Sequence, residues 1–357
     1  MSQARLEPVH VDSLAAVEGA PGELLTAFAW VRRVSPGRTR GGKPFLDLEL
    51  VDRSCAVAGK IWEDAGAAMH AAGDLERGAP VKLLFRVDRY QGALQLNIRG
   101  LRAIGDDEPG YDPIAVFGDG HARVASSLCR ALVFDIETVP AVDREAAPAS
   151  VTRAIERHAE RFDGDVDMVM GLSPLLGKVV SLAYGEGDSD GDAEVTALVV
   201  PPADHDERRQ ADYPAWMKPV SEVELLRTFW TLAEHAEVVI TYNGRGFDVP
   251  FLVARSLVHQ VPARVDLLGN PYALRPHLDL YRVLTQGRAA GPMTLEIVCW
   301  ALGIESPKDA MDGSQVAPAY ARGEIESIAE YNRRDVEATT ALYQRVREQL
   351  LRFRDDW

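Results

Sequence analysis

Cysteine is scarce. The 357 residues hold only Cys55, Cys129 and Cys299, none in a C-x-x-C spacing. That argues against a disulfide framework and against a zinc site, and it fits a reducing compartment. Long apolar runs are lacking too: none reaches the roughly 20 residues that cross a bilayer. The N-terminal stretch MSQARLEPVH has no apolar secretion-signal core. The expectation is a cytoplasmic protein with no membrane partner. Positive charge is in deficit, 39 Lys and Arg against 54 Asp and Glu, for a formal charge of −15. A chain this acidic does not draw in a polyanion through its overall field. Any nucleic-acid contact must rest on local basic patches, stacking and metal ions. No internal repeat is present.

What is there is an ordinary globular composition, 46% hydrophobic and 26% charged, in a chain long enough for two cores. The first part reads as all-β. LLTAFAWVRRV forms a strand, and GRTRGGK a basic loop. PFLDLELVD alternates, with Leu46, Leu48 and Leu50 on one face and Asp47 and Glu49 on the other. SCAVAGKIW is a third strand and EDAGAAMHAAG a short helix. VKLLFRVDRY directs Val81, Leu83, Phe85 and Val87 inward, and ALQLNIRGL does the same with Leu94, Leu96 and Ile98. Five strands with a helix between the third and fourth is the order of an OB-fold barrel. Residues 1–107 are therefore expected to form an all-β OB-fold nucleic-acid-binding domain.

GDDEPGYDPIAVFGDGHAR is rich in Gly, Asp and Pro and reads as a linker over 108–128 with little regular structure. Beyond it the pattern is α/β. Strands are expected in ALVFDIE, KVVSLAYGEG, EVTALVV and EVVITYN. Helices are expected in VSEVELLRTFWTLAEHA, FDVPFLVARSLVHQ, MTLEIVCWALG and IESIAEYNRRDVEATTALYQRVREQLLRF. Between Pro140 and Gly177 the pattern is helical without a strand, as an insertion over one edge would be.

Three stretches carry chemistry. In ALVFDIETVP an apolar run ends in Asp135 and Glu137. Residues two apart on a strand share a face, and two like charges there are costly unless something positive lies between them. Carboxylates are hard oxygen ligands for Mg²⁺ or Mn²⁺, although such a pair alone is equally a strand end meeting solvent. In EVVITYNGRGFDVPFL, Asn243 and Asp248 bracket a Gly-Arg-Gly turn. Asp248 opens a helix, where it can serve as an N-cap or reach a metal at the end of the first strand. In EYNRRDVEATTALY, Tyr331 and Asp335 lie four apart on one helical face, with pairing of Asp335 to an arginine as the alternative.

Together FDIET, NGRGFD and YNRRD resemble, in order and spacing, the DEDD superfamily of 3′–5′ exonucleases within the ribonuclease H-like fold. Tyr331, four residues before Asp335, matches the DEDDy branch. The DEDDh branch has His five before that Asp, where this chain has Glu330. PHLDLYRVL and ALGIESPKDAMDGSQV are similar to the proofreading domain of family B DNA polymerases in its stand-alone bacterial form. The resemblance covers nearly all of residues 129–357 and implies an α/β ribonuclease H-like exonuclease domain there.

It also implies roles. Asp135, Glu137, Asp248 and Asp335 would be catalytic ligands of two Mg²⁺ or Mn²⁺ ions, spaced by roughly 3.5–4 Å in a two-metal displacement. Tyr331 would be catalytic by orienting the attacking water, because a phenol of pKa about 10 is a poor base at neutral pH. Asn243 and Phe247 would line the substrate channel, Phe247 stacking on a terminal base or packing in the core. Arg245 would touch a phosphate oxygen. Asp279 would hold a ligand or a helix end from behind, with His277 as its buried partner. The implied activity releases nucleoside 5′-monophosphates from single-stranded DNA or RNA with a free 3′ end, DNA slightly favoured. A protein that grips 3′ ends without cutting, or an endonuclease on the same scaffold, is the alternative.

The first part is similar to the OB domains fused to some bacterial 3′–5′ exonucleases, through GGKPFLDLELVDRS, GKIW and YQGALQLNIRGLRAI. The loop after its first strand is read as carrying Arg32, Arg33, Arg38, Arg40 and Lys43, the densest basic cluster of the chain. Arg86, Arg89, Tyr90 and Arg99 could extend it, with Trp30, Phe45 and Trp62 as candidate stackers. The combination suits a groove that tracks a single strand. Tethering it to an exonuclease raises the local concentration of substrate.

Overall fold

The computed structural model describes residues 7–19, 22–75, 78–142, 146–161, 165–189, 194–203, 212–285, 293–305, 311–355 and 357. Part of ALGIESPKDAMDGSQV, residues 306–310, lies outside them. Contacts divide the chain into two compact units, Met1–Arg123 and Val124–Trp357. The fold is mixed α/β, with a six-stranded sheet in each unit.

The first unit contains β1 (Val9–His10), β2 (Leu24–Arg38), β3 (Pro44–Val51), β4 (Ala56–Trp62), α1 (Gly66–Gly73), β5 (Pro80–Tyr90) and β6 (Ala93–Ala103). β2 pairs with both β3 and β5, while β4 joins β3 to β6 and β6 joins β5, so five strands close into a barrel with β1 appended to β2. Alternation fills it. Leu25, Ala27, Ala29 and Val31 meet Leu48, Leu50, Ile61, Val81, Leu83, Phe85, Leu96 and Ile98, and α1 adds Ala68 and Ala72.

Two expectations are corrected here. β2 does not end at Val34 but runs to Arg38, so Arg38, like Arg32 and Arg33, sits on the strand and only Arg40 and Lys43 lie in the turn. Continued pairing with β3, out to Arg38 opposite Pro44, holds that extension. The segment 108–128 is not an irregular linker. It carries α2 (Pro113–Phe117), capped by Asp112, whose Oδ1 accepts from Ile114 N at 2.9 Å, and α3 (His121–Val124). Val116 and Phe117 are buried against Trp30 and Val51, and this apolar contact outweighs the loop-like composition. Trp30 is thereby a core residue with no exposed face for stacking.

The second unit contains β7 (Ala131–Pro140), α4 (Ala149–Arg161), α5 (Val166–Leu172), β8 (Gly177–Glu186), β9 (Thr196–Val199), β10 (Met217–Pro219), α6 (Glu222–His235), β11 (Val238–Thr241), α7 (Asp248–Val258), β12 (His277–Asp279), α8 (Leu280–Thr285), α9 (Leu295–Leu302), α10 (Val316–Ala321) and α11 (Ile325–Gln349). Its sheet runs β10-β9-β8-β7-β11-β12. β7, β8 and β9 are successively antiparallel, whereas β11 is parallel to β7 and to β12.

The period of two on β7 sorts its side chains between two cores. Leu132, Phe134 and Ile136 face Leu225, Leu226 and Phe229 of α6 and Val249 and Leu252 of α7. Ala131 and Val133 face Ile328, Val336 and Leu342 of α11. Asp135 and Glu137 continue that second face, under α11. Because β7 and β11 are parallel, their C-terminal ends open on one edge of the sheet, the place where open α/β sheets present ligand sites. Among the described residues, no helix is long and apolar enough to cross a membrane.

Candidate active site

The sheet edge brings three acids together. Carboxylate oxygens of Asp135, Glu137 and Asp335 all lie within 4.8 Å of one another. The first two come from the end of β7 and the third from the middle of α11. All three side chains keep some exposure. Asp248 is buried beside them, 5% exposed. It is the first residue of α7 but not its N-cap, a position held by Phe247. Its Oδ1 instead accepts from the backbone N–H of Ile136 at 3.3 Å, which ties the start of α7 to the strand between the two β7 acids.

This crowding disfavours ionisation. Burial, then the charges of Asp248, Asp335 and Glu137, hold Asp135 well above the usual carboxylate range. Glu137 is raised in the same way by burial, Asp335 and Asp248. Asp248 is pushed up to about 7, chiefly by burial, against the stabilising N–H of Ile136. Hard oxygen donors with surplus negative charge are what a divalent cation such as Mg²⁺ or Mn²⁺ takes, so the donor set fits one. Tyr331 hydrogen-bonds Asp335, and burial together with Asp335, Glu137 and Asp135 raises its phenol further above its usual range. A cavity of about 570 Å³ opens beside Tyr331, lined among others by Gln315, Arg322, Glu330 and Arg334.

The NGRG turn is held by a buried network. Asn243 adopts a left-handed φ of 64°. At Gly244 a Cβ would meet the Thr241 side chain at 2.4 Å, so the close approach needs glycine there. Asp279 grips the turn with both oxygens, Oδ1 accepting from Asn243 N at 2.9 Å and Oδ2 from Arg245 N at 3.2 Å. Burial lowers His277 to about 4, so its ring is neutral. Its Nδ1 donates to Leu267 O at 3.0 Å and its Nε2 accepts from Thr241 Oγ1 at 2.8 Å. The expectation for Arg245 is corrected. The residue is 9% exposed and its Nη2 donates to His277 O at 3.1 Å, because that buried carbonyl needs a donor more than solvent needs the guanidinium. Asn243 is exposed. Phe247 is half-buried against Phe251, ring centroids 5.5 Å apart.

Two residues were missed on the sequence. Asn332, fully buried, donates from Nδ2 to Asp135 Oδ2 at 2.7 Å, and its Oδ1 accepts from the buried Ser181 Oγ at 2.8 Å. Asn332 lies three residues before Asp335, a spacing that places both on one helix face, and this was the available signal. Ser181 had none.

In the first unit, Phe45 and Trp62 stand opposite one another on β3 and β4, partly exposed, ring centroids 5.6 Å apart. Lys60 Nζ lies 4.2 Å and 5.0 Å from the two centroids. Arg33, Arg38, Arg40 and Lys43 are exposed, whereas Arg32 is half-buried and paired with Glu49 at 3.2 Å. Lys43 lies 3.4 Å from Glu63.

Residues 174–353 match the family described as predicted 3′–5′ exonuclease related to the exonuclease domain of PolB. The match takes in Asp248, Tyr331 and Asp335, while Asp135 and Glu137 lie before it. A DNA polymerase of Desulfurococcus sp. (strain Tok) is 27% identical over 209 residues, covering 53% of this chain and 26% of that protein. The chain thus spans between about a tenth and a quarter of the length of the curated relatives it matches. Among solved structures, the family B DNA polymerase of Pyrobaculum calidifontis is similar over 89% of this chain and 46% of its own, at 16% identity and a TM-score of 0.40. The second OB-fold domain of replication protein A from Methanococcus maripaludis is similar over 29% of this chain and all of its own, at 15% identity and a TM-score of 0.22. With just over half of its residues matched, the chain belongs to the family of predicted 3′–5′ exonucleases related to the exonuclease domain of PolB.

Proposed function

We propose that this protein is a divalent-metal-dependent 3′–5′ exonuclease that shortens single-stranded nucleic acid and releases nucleoside 5′-monophosphates. The observation that carries the reading is the meeting of Asp135, Glu137 and Asp335 oxygens within 4.8 Å, with Asp248 tied to the same strand and Tyr331 bonded to Asp335. The four acids would hold two Mg²⁺ or Mn²⁺ ions. Such ions, when bound, supply Lewis-acid stabilisation for in-line phosphoryl displacement. The chain's own residues do the rest. The carboxylates fix the ligand positions from three elements, β7, α7 and α11, so the reacting phosphate meets a preorganised charge distribution. Tyr331, kept protonated by burial and by its acidic neighbours, orients water through its phenol and does not remove a proton. Exposed Asn243 and half-buried Phe247 border the strand's path.

Residues 129–357 are read as the ribonuclease H-like domain, which the mixed sheet with helices packed on both faces supports. Residues 1–107 are read as an OB-fold, supported by the closed five-stranded barrel with its helix between β4 and β5. The Phe45–Trp62 pair and the exposed basic residues of β2 and its turn suit a single strand. DNA is favoured over RNA because the matched relatives are DNA polymerases.

The test is a 5′-labelled oligonucleotide, DNA and RNA in parallel, with Mn²⁺, Mg²⁺ or EDTA. The reading expects a ladder shortened from the 3′ end, abolished by EDTA and by Asp335→Asn, and an intact circular single strand. Cleavage of the circle refutes the exonuclease reading. Binding without cleavage under every metal refutes the enzyme.

A further inference from the structure

The acids of the site come from β7, α7 and α11, and something must set the first of these against the last. The side chain that bridges them is Asn332. Its Nδ2 donates to Asp135 Oδ2 at 2.7 Å and its Oδ1 accepts from Ser181 Oγ at 2.8 Å. Both Asn332 and Ser181 are 0% exposed, so neither bond competes with water. Asn332 follows Tyr331 and precedes Asp335 by three residues, sharing the latter's helix face. Ser181 stands opposite Glu137 in the β7–β8 ladder, which puts its side chain on the face that carries both β7 acids.

The chemistry of the amide is suited to this place. An ionised Asp135 can only accept, so the NH₂ end must face it. The hydroxyl of Ser181 donates to the opposite end, Oδ1.

We propose that Asn332, locked by Ser181, is a positioning residue that fixes the Asp135 carboxylate as a cation ligand and sets β7 against α11. The inference rests on the exonuclease reading of the site. Its test is Mn²⁺ binding by the full chain without nucleic acid, followed by electron paramagnetic resonance of the free ion. Partners that orient a ligand typically change metal affinity by about 10- to 100-fold, the loss expected for Asn332→Ala. Ser181→Ala should lose roughly 3- to 10-fold, as for one buried neutral hydrogen bond, and Ser181→Thr, which keeps the hydroxyl, should bind close to wild type. The double variant should bind no more weakly than Asn332→Ala alone, because the serine acts only through the asparagine. With oligonucleotide, kcat should fall and KM should hold. If Asn332→Ala binds Mn²⁺ like wild type, the inference is overturned while the exonuclease reading stands. If Asn332→Ala does not fold, equal affinity in Ser181→Ala and wild type overturns it instead. A wild-type chain that binds no Mn²⁺ overturns the exonuclease reading itself.

Discussion

Replacing Asp335 by Asn removes one charge from the crowded edge and keeps the side chain's shape. Its oxygen stands within 4.8 Å of oxygens on both Asp135 and Glu137. At an effective dielectric of about 20, each fully ionised pair at that distance repels by roughly 3.5 kcal/mol. Proton uptake relieves part of this, because burial and the neighbouring charges raise the Asp135 and Glu137 carboxyls. A net gain of about 2 kcal/mol is a fair expectation for the metal-free variant. In a unit of this size that corresponds to roughly 4–8 °C in Tm. The sign with pH follows from linkage. These acids have folded-state pKa values raised above the unfolded ones, so the folded chain binds more protons, and stability declines as pH rises from about 4. For Asp248 the decline is complete above about 7. The difference between variant and wild type should therefore be larger at pH 8 than at pH 5. Thermal unfolding in EDTA at both values is the assay. Saturating Mn²⁺, at about 100 times its Kd, should add about 2.7 kcal/mol to the wild type and little to the variant. An Asp335→Asn chain that melts at or below wild type in EDTA at pH 8 would show that the acids do not repel one another as described.

Other expectations concern single residues. Tyr331→Phe should lower kcat by roughly 10- to 100-fold with KM nearly constant, since it removes one hydrogen bond used in the reaction; single-turnover cleavage measures it. Arg245→Ala should leave KM unchanged but cost about 1–3 kcal/mol of stability by orphaning the His277 carbonyl. A raised KM at unchanged Tm would return Arg245 to the substrate. Trp62→Ala should weaken oligonucleotide binding by about 1–3 kcal/mol without changing the cleavage rate of bound substrate; fluorescence anisotropy reads it.

Much of the scaffold was legible because alternation is local. Leu46, Leu48 and Leu50, or Val81, Leu83 and Phe85, announce their strands without reference to any distant partner. The same alternation on β7 put Asp135 and Glu137 on one face before the helix opposite was known. What stayed hidden depends on contacts far along the chain. Arg245 turns inward because of a carbonyl on β12. Asn332 meets Asp135 and Ser181 across separations of 197 and 151 residues. Residues 108–128 look like a linker by composition, yet Val116 and Phe117 find Trp30 and Val51. Arg38 looked like a loop residue because it lies among Gly and Pro, and only pairing with β3 carries the strand through to it.

The most direct measurement is a crystal soaked in Mn²⁺ and recorded for anomalous scattering. The account predicts peaks between Asp135, Glu137, Asp248 and Asp335, with the Asn332 bond to Asp135 intact. Manganese bound only elsewhere, or these four side chains turned away from one another, would contradict it.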